Sequence, residues 1–354
     1  MTYQVVIEST GDVIEVNEGQ TILDAALRNG VSLPHACGHG LCSTCKVDVL
    51  EGEVEQGEAS PFALMDFERE EGKCLACCAT PLSDLVIDAD IEIDDDAKLH
   101  AVKDFIGTVS RIVDLTPRIK GIFIALEGEG IAFQAGQYIN VKIPGLEDAP
   151  RAFSIASPPS EKNIVELNVC RVPDGAGTAY MHDQLKVGDP ISFTGPYGSF
   201  FVRYSQPEPV MFIAGGSGLS SLKSMLLDLL EQGDTRPITF LYGARTQDEL
   251  YYRELFESLA KQYGHFEFVP ALSEEPAESN WQGARGFVHE ALEQHFDGKF
   301  SGYKAYLCGP PPMIDACVST LMKGRLFERD IYTENFFTRA NKNEKPKSPL
   351  FKSI

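Results

Sequence analysis

Three cysteines fall within the nine residues of CGHGLCSTC, at Cys37, Cys42 and Cys45, separated by glycines and other small side chains. A loop this dense in thiols can close a disulfide, bind zinc, act as a dithiol, or wrap iron and sulfide. The N-terminal string MTYQVVIEST has neither a basic n-region nor an apolar h-region, so a reducing cytoplasm is expected. There, clustered cysteines are metal ligands or catalytic thiols more often than disulfides. Zinc sites more usually show paired C-x2-C knuckles. A thioredoxin-like dithiol should open a helix after a strand, which CSTC does not do. The spacing C-x4-C-x2-C with a distant fourth cysteine suits a [2Fe–2S] centre. Two irons take two thiolates each, so one loop wraps the inorganic core and a remote segment supplies the last ligand. The string KCLACCAT offers Cys74, Cys77 and Cys78 for that place. His35 and His39 stand near the loop, but four cysteines suffice and both histidines are expected at the surface.

At 354 residues the chain has room for two or three domains. No run of about 18 apolar residues occurs, so no membrane-spanning helix is expected. The net charge of −21 is uneven: residues 1–100 carry 5 Lys+Arg against 21 Asp+Glu. Such a field repels nucleic acid and anionic membranes and can steer the first module toward a basic partner face. Solubility alone is the plainer reading of the same charge.

Two apolar-rich runs around Thr10-Gly11-Asp12 predict a hairpin, and TILDAALRNG predicts a helix capped at Gly30. KVDVLEGEV returns to strand alternation, and the unit ends near DLVIDADIEID. From 105 to 203, short alternating strands with frequent turns predict an antiparallel barrel whose only helix is GTAYMHDQL. From 209 on, apolar strands alternate with amphipathic helices, ELYYRELFESLAKQY among them, which implies a parallel sheet. We therefore expect modules at 1–93, 102–207 and 208–337, a linker at 94–101 and a polar tail at 338–354.

Within the barrel, RAFSIAS sets Arg151, Phe153 and Ser154 on one strand, able to offer a flavin a cation for phosphate, a ring and a hydroxyl. An ordinary barrel strand explains the string equally well. DGAGTAYMH places Gly175, Gly177 and Thr178 at a helix start, where free N–H groups favour a pyrophosphate; in isolation it reads as an N-cap by Thr178. VMFIAGGSGLSSLKSML gives strand, glycine-rich turn and helix, the geometry for a dinucleotide. YLCGPPPMI puts Cys308 and Gly309 at a later strand end, over the same crevice.

Taken together, the four cysteines, RAFS, GGSGLSS and CGPPPM in this order resemble the reductase components of bacterial aromatic and methane oxygenases. GEASPFALMDFER and AYLCGPPPMIDA bring the whole chain nearest to the phenol hydroxylase reductases. The resemblance, running from about residue 3 to about 337, implies a multidomain α+β and α/β protein: a β-grasp [2Fe–2S] ferredoxin, an antiparallel β-barrel for FAD and a parallel-sheet nucleotide-binding domain. It implies Cys77, in LAC, as the fourth ligand beside Cys37, Cys42 and Cys45. Arg151, Phe153 and Ser154 match the flavin motif R-x-[YF]-S, with phenylalanine where tyrosine is common. Gly175 and Thr178 match the flavin pyrophosphate element, and Gly215, Gly216, Ser217 and Gly218 the nicotinamide-dinucleotide loop. Cys308 with Gly309 falls at the nicotinamide corner, while Glu334 and Phe336 fall where the family brings a carboxylate and an aromatic to the flavin. Ser273-Glu274-Glu275 lacks the basic residues that suit a 2′-phosphate, so NADH is expected even with Arg245 near the adenosine end.

The implied activity is electron transfer. NADH yields a pair of electrons and a [2Fe–2S] cluster takes one at a time, so FAD, which handles both, stands between them. The implied partner is the oxygenase component of a multicomponent hydroxylase, a di-iron phenol hydroxylase by the closer match. Two other readings compete: a reductase serving another oxygenase or small acceptors, and a non-catalytic metal-binding adaptor.

Overall fold

The computed structural model describes residues 1–35, 38, 40–91, 94–146 and 149–336. Cys37, His39 and the tail at 338–354 lie outside the described residues. The chain divides into two compact units: Met1–Asp104 with Thr194–Ser199, and Phe105–Phe193 with the described residues from Phe200 on. Among the described residues no helix is long and apolar enough to cross a membrane.

In the first unit, β1 (Thr2–Ile7) and β2 (Asp12–Asn17) form the expected hairpin, and α1 (Ile22–Arg28) follows. The remaining elements are β3 (Lys46–Glu51), β4 (Val54–Glu55), α2 (Asp66–Glu70), β5 (Lys73–Leu75), β6 (Thr80–Pro81) and β7 (Leu85–Asp88). The five-stranded sheet has the order β2-β1-β7-β3-β5. β1 and β7 pair in parallel at its centre, the mixed sheet of the expected β-grasp. Alternation in β1 and β2 aims Val5, Ile7, Ile14 and Val16 at the core, where α1 buries Ile22, Leu23, Ala25 and Ala26. Thr21 caps α1 by accepting from Asp24 N, and Gly30 takes φ 72° just past its end. The cysteine loop runs from this helix end to β3.

The antiparallel sheet comprises β8 (Lys103–Asp114), β9 (Ile119–Ala125), β10 (Tyr138–Val141), β11 (Arg151–Ser154), β12 (Ile164–Cys170) and β13 (Pro190–Tyr197). Its order is β11-β10-β13-β8-β9-β12. A bridge from Ile155, just past β11, to Leu167 on β12 brings the two edge strands together and closes the barrel. Helix α3 (Ala176–Asp183) is the helix expected in this stretch.

The second six-stranded sheet is built from β14 (Val210–Gly215), β15 (Ile238–Ala244), β16 (Phe266–Leu272), β17 (Ala284–Arg285), β18 (Lys304–Gly309) and β19 (Ile331–Asn335). Helices α4 (Leu219–Glu231), α5 (Arg253–Gln262), α6 (Val288–His295) and α7 (Pro311–Lys323) accompany it. The order β17-β16-β15-β14-β18-β19 makes β14 the strand where the winding reverses, and the crevice at its carboxyl end is the usual ligand place of such sheets. Every residue of β14 and β18 is buried, as apolar strands covered on both faces should be. One boundary differs from the sequence expectation. Tyr251 and Tyr252 stand outside α5, because Tyr252 takes the left-handed backbone (φ 58°) and the helix opens only at Arg253.

Candidate functional site

The described thiols of the first unit gather where the cysteine loop meets the segment after β5. Gly40 takes φ 72° and its N–H donates to Cys77 Sγ at 3.3 Å. A Cβ at Gly40 would stand 2.7 Å from Cys78 Sγ and 2.9 Å from Glu58 O, so only glycine lets the loop approach this closely. Cys77 Sγ lies 3.6 Å from Cys78 Sγ. Its thiol also bonds to Cys45, and the two bonds pull the Cys45 and Cys78 thiols down and push Cys77 up. Cys74 is fully buried in the core, which pushes its thiol up to about 12. Cys42, Cys45 and Cys77 thus sit on segments that meet, with an N–H aimed at sulfur, which suits an iron–sulfur core needing polarised thiolates. His35 departs from the surface position expected of it. Its Nδ1 lies 2.8 Å from Leu33 O, Gly198 N donates to its Nε2 at 3.4 Å, and burial lowers its pKa.

In the second unit, three donors converge on Oε2 of Glu334: Ser221 Oγ at 2.7 Å, Ser154 Oγ at 3.3 Å and Cys308 Sγ at 3.5 Å. They come from α4, β11 and β18. Parallel pairing puts Cys308 opposite Glu334, so both side chains leave the same face. Burial raises the Glu334 carboxyl above the usual range, opposed by the three donors. Burial, then the adjacent carboxylate, pushes the Cys308 thiol well up, so it stays a neutral donor. Phe336 joins the same corner through its N–H to Gly309 O at 3.2 Å.

The dinucleotide loop rests on the end of β18. A Cβ at Gly218 would be 2.2 Å from Cys308 O, and one at Gly309 would be 3.0 Å from Gly215 O. Gly215 would clash with Met313 Sδ at 2.3 Å, whereas Gly216, at φ 55°, faces open space. Ser217 lies in the turn between them and its carbonyl accepts from Ser220 Oγ at 2.8 Å.

The flavin strand divides its residues between two faces. Antiparallel register sets Ser154 opposite Tyr138 and Phe153 opposite Ile139. Ser154 therefore reaches the Glu334 corner, while Phe153 packs with the barrel core. Asn140, on the Tyr138 face, has a buried Oδ1 with no partner among the described residues, an acceptor that fits a ring N–H. The Arg151 guanidinium donates to the carbonyls of Ala149 and Pro150, and Gly177 is pressed against its side chain, a Cβ there lying 2.9 Å from Arg151 Cγ. Gly175, not Thr178, is the N-cap of α3. Thr178 instead donates to Gly175 O at 3.1 Å and accepts from Val172 N, and no side chain caps the first turn. That turn suits an anion.

Beyond the crevice, Glu275 accepts from Gln247 N and Nε2 at 3.0 and 2.6 Å, which leaves Glu274 as the exposed carboxylate of the pair. Arg245 is held by Glu249 through both Nε and Nη2. Sequence reasoning missed Ser221, the second serine after Gly218, although its place in the first turn of a helix after a glycine turn was a usable signal.

Three family matches follow the same order: a 2Fe-2S iron-sulfur cluster binding domain at residues 5–82, an oxidoreductase FAD-binding domain at 110–202 and an oxidoreductase NAD-binding domain at 212–319. The chain is similar, at 61% identity over the full length of both, to the phenol 2-monooxygenase reductase component DmpP of Pseudomonas sp. strain CF600. It is 57% identical, again over both full lengths, to the phenol hydroxylase P5 protein of Acinetobacter pittii strain PHEA-2. Its fold resembles the crystal structure of the Amycolatopsis cytochrome P450 reductase GcoB, with a TM-score of 0.86 at 34% identity over 95% of this chain and 99% of that one. With cluster, flavin and nicotinamide modules in one chain, this protein belongs to the reductase components of multicomponent phenol hydroxylases.

Proposed function

We propose that the chain draws electrons from NADH and delivers them through FAD and a [2Fe–2S] cluster to a di-iron hydroxylase component that oxidises phenol, in the cytoplasm. FAD and the cluster, when bound, supply the change from paired to single electrons. Cys37, Cys42, Cys45 and Cys77 would hold the cluster, and the Gly40 N–H would stabilise sulfur charge. Gly175 and the open first turn of α3 would take the flavin pyrophosphate, with Arg151, Phe153 and Thr178 shaping that strand and turn. Gly215, Gly216, Ser217 and Gly218 would take the dinucleotide, and Gly309, with Phe336 bonded to it, would shape the nicotinamide corner. Cys308 and Glu334 would be the groups that meet the reacting rings, with the buried Cys308 thiol held neutral. We take the modules to span 1–93, 102–207 and 208–337, with a linker at 94–101 and a tail at 338–354.

The observation that carries this reading is the convergence of Ser154, Ser221 and Cys308 on Glu334: a flavin strand, a dinucleotide helix and a nicotinamide strand end share one carboxylate. NADH over NADPH is supported by exposed Glu274 and by the pairing of Arg245 with Glu249. An anaerobic NADH titration followed by absorbance and EPR tests the reading. Flavin bleaching with a reduced-cluster signal is expected, and no response to NADH or NADPH refutes it. Docking through the acidic first hundred residues predicts that salt slows reduction of the hydroxylase but not of a small dye.

A further inference from the structure

A second buried carboxylate lies on the other side of the first turns of α4, and the electron path does not use it. Glu166 on β12 and Lys223 on α4 form an ion pair at 2.6 Å with both side chains 6% exposed. Lys223 Nζ also donates to Ala156 O at 3.1 Å. Oε1 of Glu166 accepts from Tyr252 OH at 2.6 Å and from Asn168 Nδ2 at 2.8 Å. Ser224 Oγ donates to Ser157 O at 2.7 Å, and Asn168 Oδ1 lies 3.3 Å from Ser220 Oγ, whose proton goes to Ser217 O. Tyr251 reaches back from the same turn as Tyr252 to donate to Gly216 O at 3.2 Å. Outside the pair, the seam opens into a cavity of about 620 Å³ lined by Arg111, Phe123, Glu161 and Leu255.

A buried ion pair is poor evidence of stability, because desolvation offsets much of the attraction and an apolar replacement is often neutral. Its directional bonds do fix geometry. Resting on the reading above, we propose that Glu166, Lys223 and Tyr252 are positioning residues for the nicotinamide dinucleotide. They hold the loop 215–218 and the start of α4 in one register against the flavin barrel.

The test compares wild type, Glu166→Gln/Lys223→Met and Tyr252→Phe, each with FAD bound. In the double variant the two charges leave together, so melting temperature and FAD content should stay near wild type. Flavin reduction at saturating NADH should fall by about 10- to 100-fold, as expected of a displacement of about 1 Å, with little change in the dissociation constant for NAD. Hydrogen exchange of residues 215–221 should quicken. Tyr252→Phe, which removes a single bond, should slow reduction several-fold with the fold intact. Wild-type reduction and exchange in the double variant overturn the proposal, and if that variant fails to fold, a wild-type rate in Tyr252→Phe does so. Failure of wild type to be reduced by NADH sinks the functional reading instead, while the exchange measurement still reports on the network.

Discussion

Gly218→Ala separates steric from conformational demands in the dinucleotide loop. Gly218 has an ordinary helical backbone, φ −63°, so alanine meets no torsional penalty there. Its Cβ, however, would stand 2.2 Å from Cys308 O, 2.4 Å from Cys308 C and 2.6 Å from Gly309 N. Ordinary contact distances lie roughly 1 Å further out, and the obstacle is backbone in a fully buried strand, so loop and strand end must part by about that much. Overpacking of this kind costs about 1–3 kcal/mol, or roughly 1–4 °C in melting temperature at this chain length. The larger effect should be on rate: about 1 Å of displacement at the nicotinamide corner costs about 100-fold in flavin reduction by NADH. Gly216→Ala is the control. It has φ 55° and nothing within 4 Å, so it meets only the left-handed penalty of about 1–2 kcal/mol. Anaerobic stopped-flow reduction by NADH, beside reduction by dithionite, reads both variants. A Gly218→Ala protein reduced as fast as Gly216→Ala would refute the close-contact argument.

Three further outcomes are expected. The raised carboxyl of Glu334 means the folded state keeps a proton that the unfolded chain has released, so its contribution to stability is full below about pH 4.5 and is lost as pH rises through the raised value. Glu334→Gln should flatten that part of the melting-temperature profile relative to wild type. Gly40→Ala should lower iron and sulfide content, and adding Cys78→Ala should not restore it, since Glu58 O would still lie 2.9 Å from the new methyl. Cys308, fully buried with its thiol pushed well up, should resist iodoacetamide at pH 8 in the native protein and react only after unfolding, as read by peptide mass spectrometry.

Much of this was legible from local chemistry. The cysteine spacing, the glycine turn after an apolar strand and the switch from period-2 runs to strand–helix alternation are short-range signals. They placed the three modules, and the family matches at 5–82, 110–202 and 212–319 fall in the same order. What escaped depends on partners far apart in sequence. Ser221 is an unremarkable serine until Glu334, 113 residues away, brings it to Ser154. Lys223 sits in an amphipathic helix pattern that would accept a leucine, and only Glu166, 57 residues earlier, explains it. The early start expected for α5 has the same origin. ELYYRELF has helical periodicity, but Tyr252 turns left-handed and bonds to Glu166 while Tyr251 bonds to Gly216, and these contacts override propensity.

The two carboxylate clusters share one structural logic. Successive residues on an α-helix project about 100° apart, so Ser220 and Ser221 in the first turn of α4 face different neighbours. Ser221 bonds to Glu334 on β19, whereas Ser220 lies 3.3 Å from Asn168 Oδ1 on β12, and Lys223 just beyond bonds to Glu166 there. One turn is thereby tied to the parallel sheet and to the barrel by hydrogen bonds of defined direction. Apolar packing under β14 and α4 supplies adhesion without choosing an angle, since hydrophobic burial is non-directional. Loop 215–218 leads directly into that turn, so its angle to the flavin strand is set by two small polar clusters while stability resides in the apolar layer beneath. Substitutions in the clusters should accordingly move rates more than melting temperatures, and those in the layer the reverse.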